Sequence, residues 1–242
     1  MLLLGNDIVD LNEAGITGKF YSARFVERVF SREEKSAISL SENPDLTLWM
    51  FWAAKETAYK IISKITRPPV FSYKKFKTTF RKKISKSKSK FEVVYDARQF
   101  QIELTTNINY IHAVGAHANT SELPNYLLSE KVHQVTHSEL KDWQNPNSWS
   151  EHFTKEELVS IHHAESALVR FHCKKLVAKE LKVAPSRLQI IRPSKARMPQ
   201  PPFLLLDNKQ TEIDISLSHH GLWLGFCFSI KQGAKVISCQ AH

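Results

Sequence analysis

Residues 46–69 read LTLWMFWAAKETAYKIISKITRPP, and this stretch decides the class of the fold. Apolar residues recur at helical spacing from Leu46 to Ile65, and the prolines that follow end the predicted helix. Residues 70–118 then contain segments that alternate apolar and polar residues, which is typical of antiparallel strands. These segments are FKTTF, FEVVYD, FQIELTT and YIHAVGAH, with the basic stretch RKKISKSKSK predicted as a flexible loop between the first two. A helix followed by strands predicts an α+β unit.

The second part of the chain shows the same order of elements. A long helix is predicted from about Lys155 to Leu181, and four strand-like segments follow it as far as residue 230. Residues 119–135 have few periodic features, and we place a boundary there. The sequence therefore predicts two pseudo-symmetric lobes at residues 1–118 and 125–235, each an antiparallel sheet packed with a long helix.

Composition narrows the classes of partner and compartment. The chain has 242 residues with 34 Lys and Arg against 24 Asp and Glu, a formal charge of +10 that favours nucleic acid, a phosphorylated small molecule or an acidic protein. There is no GxxxxGK or GxGxxG motif for phosphate binding. Three scattered cysteines give no disulfide framework, and no apolar run approaches the length of a membrane helix. We expect a cytoplasmic protein without a membrane segment.

The N-terminal strand, predicted from Leu2 to Val9, overlaps the motif GNDIVDL at residues 5–11. Asp7 lies there between Leu4 and Ile8, and a buried acid is costly unless it is paired, hydrogen-bonded or metal-bound. An aspartate that caps a turn at a strand end explains the motif equally well at this point.

The helix carries WAAKETAYK at residues 52–60. Glu56 and Lys60 are spaced as a stabilising i, i+4 ion pair, so a surface salt bridge is the simpler interpretation of these two residues alone. The tryptophans at 49 and 52 indicate that this part of the helix is packed. A carboxylate beside lysines could hold a magnesium ion that faces phosphates, because magnesium prefers one or two carboxylates with water and phosphate oxygens.

The third motif is SLSHHG at residues 216–221, between two apolar segments. It could be a strand edge and turn, or a hydroxyl and an imidazole that bind phosphate. A zinc site is disfavoured because adjacent residues on a strand point to opposite faces.

Together, GNDIVDL, WAAKETAYK, SLSHHG and the looser ARMPQPP segment resemble the motifs of the phosphopantetheinyl transferases. The resemblance implies transfer of 4′-phosphopantetheine from coenzyme A to a serine of an apo acyl or peptidyl carrier protein, with the active site at the lobe interface. The order of the motifs resembles a circular permutation of the two-lobed, surfactin-type enzymes. One short unit of the holo-acyl-carrier-protein-synthase type fused to a partner lobe is the alternative.

The resemblance assigns the metal to Asp7 and Glu56. Magnesium is expected, with manganese possible, and water would complete the shell because Val9 stands where two-lobed members have a third carboxylate. Asp10 is expected on the opposite face of the strand. Glu56, or a water that it orients, is the candidate base, and Lys60 is the second catalytic residue.

The resemblance assigns coenzyme A, the co-substrate, to basic and hydroxyl side chains. Lys55 and Lys60 would reach the pyrophosphate, and Ser218 and His219 would contact the nucleotide phosphates. Arg197 would bind the nucleotide end, and Arg170 is the candidate for the 3′-phosphate.

An acidic carrier protein, from fatty-acid, polyketide or peptide synthesis, is the expected partner, and a monomer is the expected state. Two other classes stay open on the sequence: a basic nucleic-acid-binding protein, which lacks a recognisable reader motif, and a non-catalytic homologue that binds coenzyme A or a carrier.

Overall fold

The computed structural model describes residues 2–66, 72–117, 126–193 and 200–231. Within these residues, helices and antiparallel sheets form a mixed α+β fold, which confirms the predicted class. The helices are α1 (Ala23–Val29), α2 (Arg32–Ser39), α3 (Pro44–Ile65), α4 (His137–Asp142), α5 (Lys155–Leu158) and α6 (Ala164–Leu181). The strands are β1 (Leu3–Asp10), β2 (Lys77–Lys83), β3 (Lys88–Tyr95), β4 (Arg98–Thr106), β5 (Tyr110–His117), β6 (Tyr126–Gln134), β7 (Leu188–Ile191), β8 (Phe203–Leu206), β9 (Lys209–Gln210), β10 (Asp214–His220) and β11 (Trp223–Lys231). No helix among the described residues is long and apolar enough to cross a bilayer.

The first half of the chain, from β1 to β5, forms a five-stranded antiparallel sheet in the order β1-β5-β4-β3-β2. Helix α3 lies across this sheet and contacts all five strands. Phe51 and Ile61 of the helix share a core with Phe91 and Ile102 of the sheet. Burial of this apolar surface is the main term that holds the helix on the sheet.

The second half, from β6 to β11, repeats this plan with a smaller sheet. Its strands form the orders β10-β11-β6 and β7-β8-β9, and β8 contacts β10. Helix α6 packs on β10 and β11, where Leu168 and Val177 share a core with Phe226 and Phe228. The two halves therefore each consist of an antiparallel sheet covered by one long helix.

A buried ion pair anchors the helices of the first half. Residues 30–34, FSREE, start α2 with a capping box in which Glu34 is the third helical residue. The Glu34 carboxylate is 2% exposed and accepts hydrogen bonds from Lys55 Nζ of α3 at 2.7 Å and from the backbone N–H of Thr78 at 2.7 Å. One carboxylate thus ties together α2, α3 and the start of β2.

The second half repeats this anchor residue by residue. Residues 153–157, FTKEE, start α5 with the same capping box. Glu157 is fully buried and accepts from Lys174 Nζ of α6 at 3.1 Å and from the backbone N–H of Ile190 on β7 at 2.9 Å. The equivalence of helix, lysine and strand supports the pseudo-symmetry that the order of elements suggested.

The predicted single helix from Lys155 to Leu181 is wrong, because two helices occupy this range. The α5 helix ends at Leu158, where the N–H groups of Ser160 and Ile161 turn back to carbonyls three residues earlier. His163 then begins α6 as its N-cap. Hydrogen bonds between residues three apart form a tighter 3₁₀ turn, which is common at the end of an α-helix.

Two predicted loops are also shorter than expected. In the basic segment at residues 81–90, β2 extends to Lys83 and β3 begins at Lys88, so only four residues turn. The boundary at 119–135 contains β6, which pairs with β11 along its whole length. Strand β6 is an edge strand with few buried side chains, so its sequence lacks the alternation of a half-buried strand.

The two halves meet along the outer edge of β1. The backbone N–H groups of Leu4, Asn6 and Asp10 donate to the side chains of residues 214, 216 and 220 on β10, at 2.6, 2.9 and 3.0 Å respectively. Side chains of β10 thus accept the hydrogen bonds that the backbone carbonyl groups of a neighbouring strand would accept in a regular sheet. This seam positions β10 beside the motif that contains Asp7.

Candidate active site

Gly5 allows α3 to approach β1 closely. A Cβ atom at residue 5 would overlap the carbonyl oxygen of Thr57 and lie within 2.9 Å of Ile61. Glycine has no Cβ, so it permits a helix backbone to pass this near to a strand. The close approach brings the helix residues on either side of Thr57 next to Asp7.

Gly5→Ala is expected to destabilise the protein by about 1–3 kcal/mol, because the added methyl group meets backbone rather than a movable side chain. Urea unfolding would measure this loss. Gly115→Ala on the paired strand is the matched control, since its Cβ meets the flexible end of Ile102. An equal or larger cost at residue 115 would contradict the proposed role of the β1–α3 contact.

Asp7, Glu56 and Lys60 form a group of three charges at this contact. Lys60 Nζ lies 3.0 Å from Asp7 Oδ1 and donates to the Asn6 carbonyl oxygen at 2.6 Å. The Asp7 side chain is 13% exposed and that of Lys60 is 27% exposed. Glu56 lies one helical turn before Lys60 and interacts electrostatically with both Asp7 and Lys60.

Burial raises the pKa of both carboxyl groups. Burial raises the pKa of Asp7 above its usual value, and the nearby Lys60 opposes this shift. Burial, and next the charge of Asp7, raise the pKa of Glu56 to about 7, with Lys60 again opposing. The charge of one lysine therefore does not balance the charges of two ionised carboxylates. A hard divalent cation would supply the missing positive charge, and carboxylate oxygens are the ligands that magnesium prefers.

Asp10, the other acid of the motif, is occupied by structural hydrogen bonds. Its two carboxylate oxygens accept from the backbone N–H groups of Asn12 at 2.9 Å and Leu222 at 3.0 Å. It is buried and helps to close the seam between the halves. This agrees with the expectation that Asp10 does not join Asp7 in a metal shell.

A cleft with a volume of about 230 Å³ opens beside Lys60, between α3 of the first half and α6 and β10 of the second. Two lysines, two arginines, one histidine and three serines contribute to its wall. They are Lys60, Ser63, Lys64, Ser166, Arg170, Arg192, Ser216 and His219. A concave, basic surface between two halves of a chain suits a ligand with several phosphate groups.

Arg170 and His219 come from different elements of the second half and share this cleft. Arg170 is held by Ser166, whose carbonyl oxygen accepts from Nη1 at 2.9 Å, and burial lowers the arginine pKa to about 10. Partial desolvation beside the cleft lowers the pKa of His219, while Glu165 opposes the shift and Lys60 adds to it. Arg170 thus supplies a guanidinium and His219 supplies an imidazole N–H to the wall of the cleft.

Comparison with known families agrees with these motifs. Residues 3–115 match the family model of the 4′-phosphopantetheinyl transferase superfamily. The matched segment, 113 of the 242 residues, belongs to this superfamily. Its members transfer phosphopantetheine from coenzyme A to carrier proteins and typically use a divalent metal. Comparison with curated proteins gives no match.

The predicted phosphate contact of Ser218 is not supported by the position of this residue in the structure. Ser218 is buried, accepts a hydrogen bond from Asn6 Nδ2 at 2.8 Å and donates to the Gly225 carbonyl oxygen at 3.2 Å. Neighbouring residues of β10 face opposite sides, so His219 reaches the cleft and Ser218 reaches β1. Its hydroxyl group joins the two halves.

Lys55 also lies away from the position that its motif suggested. It is fully buried, and its Nζ donates to Glu34 and to the carbonyl oxygens of Tyr73 and Phe76. Three acceptors occupy the three donors of an ammonium group, so none is left for a pyrophosphate. We correct the assignment of Lys55 from a coenzyme A ligand to a structural residue.

Three further basic residues are relevant to the coenzyme A site. Arg197 lies outside the described residues. Arg192, which the sequence analysis did not assign to the site, lines the cleft and donates from Nε to the Gln200 carbonyl oxygen at 2.8 Å. Lys64, which the motif analysis missed, follows Lys60 by one helical turn, a spacing that could have indicated a shared face.

The second half carries lysines where the first half carries carboxylates. Asp10 and Gln134 occupy equivalent places, since each pairs with the first residue of the neighbouring strand. Counting back three residues from each, and aligning Lys55 with Lys174, gives the equivalent pairs Asp7 and Lys131, Glu56 and Lys175, Lys60 and Lys179. Two acids are thus replaced by bases, so the magnesium chemistry that fits the first half does not fit the second.

Proposed function

We propose that this chain transfers the 4′-phosphopantetheine arm of coenzyme A to a serine of an apo carrier protein, with release of 3′,5′-ADP. The observation that carries the proposal is the position of Lys60. Its ammonium group bonds Asp7 and interacts with Glu56, and the same side chain lines the basic cleft. The candidate metal ligands and the candidate nucleotide site are therefore neighbours.

Asp7 and Glu56 are the proposed ligands of a magnesium ion, with manganese as an alternative. When bound, this ion neutralises charge on the phosphoanhydride. Glu56, or a water that it orients, accepts the proton of the carrier serine, because a serine hydroxyl group needs a base near neutral pH. The serine oxygen forms a bond to the β-phosphorus, and the bond from that phosphorus to the bridging oxygen breaks.

Lys60 is the proposed electrostatic catalyst. Its fixed ammonium group lies beside Asp7, where it can stabilise the negative charge that develops on the leaving phosphate. Arg170 and His219 are the proposed contacts for the nucleotide phosphates, one through its guanidinium group and one through an imidazole N–H. Arg197 stays a prediction for the nucleotide end.

The organisation of the chain supports a two-lobed enzyme, with proposed lobes at residues 1–118 and 125–235. The repeated capping box and buried ion pair indicate that the second half is a structural counterpart of the first. We propose a monomer on this basis, since one chain supplies both walls of the cleft. The formal charge of +10 supports an acidic carrier protein as the partner.

The proposed activity can be tested by mass spectrometry. The chain is incubated with coenzyme A, magnesium and apo carrier proteins of the fatty-acid, polyketide and peptide classes. A mass gain of one phosphopantetheine arm on the carrier, abolished by a chelator and restored by magnesium, is the expected result. An unmodified carrier in every case, although coenzyme A binds, would instead indicate a non-catalytic homologue.

Arg170→Ala is expected to raise the KM for coenzyme A by about 10- to 100-fold, because a hydrogen bond to a charged group contributes about 1.5–3 kcal/mol. The kcat should change less, since this contact is remote from the reacting phosphorus. Steady-state kinetics at varied coenzyme A would measure both constants. Arg187→Ala, whose side chain pairs with Asp207 at the surface, is the control. Equal KM values for the two variants would refute the phosphate contact.

A further inference from the structure

A second group of possible metal ligands lies in the second half of the chain, apart from the cleft. The group consists of His133 near the end of β6, Glu139 in α4 and His172 in α6, and each of these residues offers one donor atom. These three atoms all lie within 4.8 Å of one another. His133 and Glu139 are six residues apart and His172 lies 33 residues further along the chain, so they form no compact metal-binding motif and the fold brings them together.

The distances suit a tetrahedral cation. Bonds of about 2.0–2.1 Å from zinc to nitrogen or oxygen put neighbouring ligand atoms of a tetrahedron about 3.3–3.5 Å apart. His172 Nε2 already lies 3.4 Å from Glu139 Oε1. The imidazole rings of His133 and His172 have their centroids 3.9 Å apart, and the donor atom of His133 lies within 4.8 Å of the other two, so the three ligands would close in further when an ion binds.

The Nε2 atoms of the two histidines have no hydrogen-bond partner among the described residues. Nε2 of His133 and Nε2 of His172 are both buried and have no hydrogen-bond partner, since the contact of His172 with Glu139 is not aligned for one. A buried polar atom without a partner costs about 1–3 kcal/mol. Two such atoms beside one carboxylate therefore point to a cation that is shared by all three residues.

The surrounding structure holds the ligands in place. Thr136 caps α4 by accepting from the backbone N–H of Glu139 at 3.1 Å, which fixes the start of that short helix. His172 lies in the middle of α6, beside the fully buried Cys173. His133 pairs with Leu224 within the sheet. Ligands from a strand and two helices would make a bound metal a crosslink of the second half.

We propose that His133, Glu139 and His172 bind one divalent transition-metal ion of the zinc class. Two imidazoles and one carboxylate favour zinc, cobalt or nickel over magnesium, which prefers oxygen ligands. Three protein ligands leave a fourth position for water or an anion. The adjoining groove of about 280 Å³ is lined by Lys131, Lys175 and Lys179, whose charge would attract an anion to that position.

This inference does not depend on the proposed transferase activity. The nearby lysines repel a cation, so the affinity should be lower than that of a zinc site in neutral surroundings. The expected role is stabilisation of the second half, or capture of an anionic group in the groove.

Cobalt provides a direct test, because four-coordinate Co²⁺ with nitrogen ligands absorbs strongly in the visible range and six-coordinate Co²⁺ does not. The untagged full chain is titrated with Co²⁺ at pH 7.5 in excess Mg²⁺, which occupies the carboxylate site of the first half. We expect a visible band that saturates at one equivalent and disappears when zinc is added. Zinc should also raise the melting temperature.

Variants decide whether the proposed residues are the ligands. His172→Ala and Glu139→Gln should each weaken Co²⁺ binding by about tenfold or more. His137→Ala, an exposed histidine on α4, should bind as the parent chain does. Glu139 is 33% exposed, so its variant keeps the test valid if His172→Ala does not fold. The absence of the band in the parent chain, or an unchanged band in Glu139→Gln, would overturn the proposal.

Discussion

Glu56→Gln is expected to lower the transfer rate by about 100- to 1,000-fold, the range found when a group that stabilises transition-state charge is removed. Glutamine keeps the size of the side chain but removes one of the two proposed metal ligands and the proposed proton acceptor. The loss should appear in kcat, and more magnesium should not restore it. The carrier mass assay, run as a time course with excess coenzyme A, would measure the rate.

The stability of the same variant separates a catalytic effect from a folding defect. The pKa of Glu56 is about 7 in the folded protein and 4.5 in its reference state, so folding disfavours the ionised form. The stabilisation that comes with protonation is therefore lost as the pH rises from about 4.5 through 7. At pH 8 without metal, Glu56→Gln should melt at or above the temperature of the parent chain. Glu42→Gln, at an exposed position before α3, is the control for both measurements. Full transfer activity in Glu56→Gln would refute the proposed role.

Lys55→Met is expected to lower the free energy of unfolding by about 3–5 kcal/mol, because it leaves the buried Glu34 carboxylate without its cation. Urea unfolding at pH 7 would measure the loss. The double variant with Glu34→Gln should lose less than the sum of the single variants, since it removes both charges of the pair. Coenzyme A binding should persist in the folded fraction.

Two matched variants sharpen this test. Lys174→Met removes the equivalent lysine of the second half and should lower the free energy of unfolding by a similar amount. Glu157, like Glu34, accepts from one lysine and from one backbone N–H group. Lys77→Met changes an exposed lysine and should stay within about 0.5 kcal/mol of the parent chain. A Lys55→Met variant with normal stability and a greatly raised KM would return this residue to the coenzyme A site.

The local signals in the sequence were sufficient for much of the fold. The helix that contains WAAKETAYK is bounded by Asn43, which caps it, and by the prolines that follow, so its pattern and its ends agree. Ser31 is followed three residues later by Glu34, which is the sequence pattern of a capping box, and the structure contains this capping box. The strands of the first sheet alternate because one face is buried by α3, and alternation is what sequence analysis detects.

The errors arose where tertiary contacts decide the outcome. A motif shared with a family gives the identity of a side chain but not the direction in which it points. This explains why Lys55 and Ser218 were predicted to contact coenzyme A although both are buried in structural contacts. The segments FSREE and FTKEE are similar in sequence, but each is also an ordinary helix start. Only the structure shows that a distant lysine pairs with the last glutamate of each segment. Nothing in the spacing of His133, Glu139 and His172 could have indicated their convergence.

The side-chain seam on β1 has a consequence for dissecting the protein. The segment that matches the family model ends at residue 115, and as a separate polypeptide it would keep β1 but lose every acceptor that β10 supplies. Its outer row of amide groups would then be an open template for another molecule, and exposed strand edges promote association. A truncated form should therefore self-associate or precipitate, so the smallest soluble unit is expected to extend through Lys231.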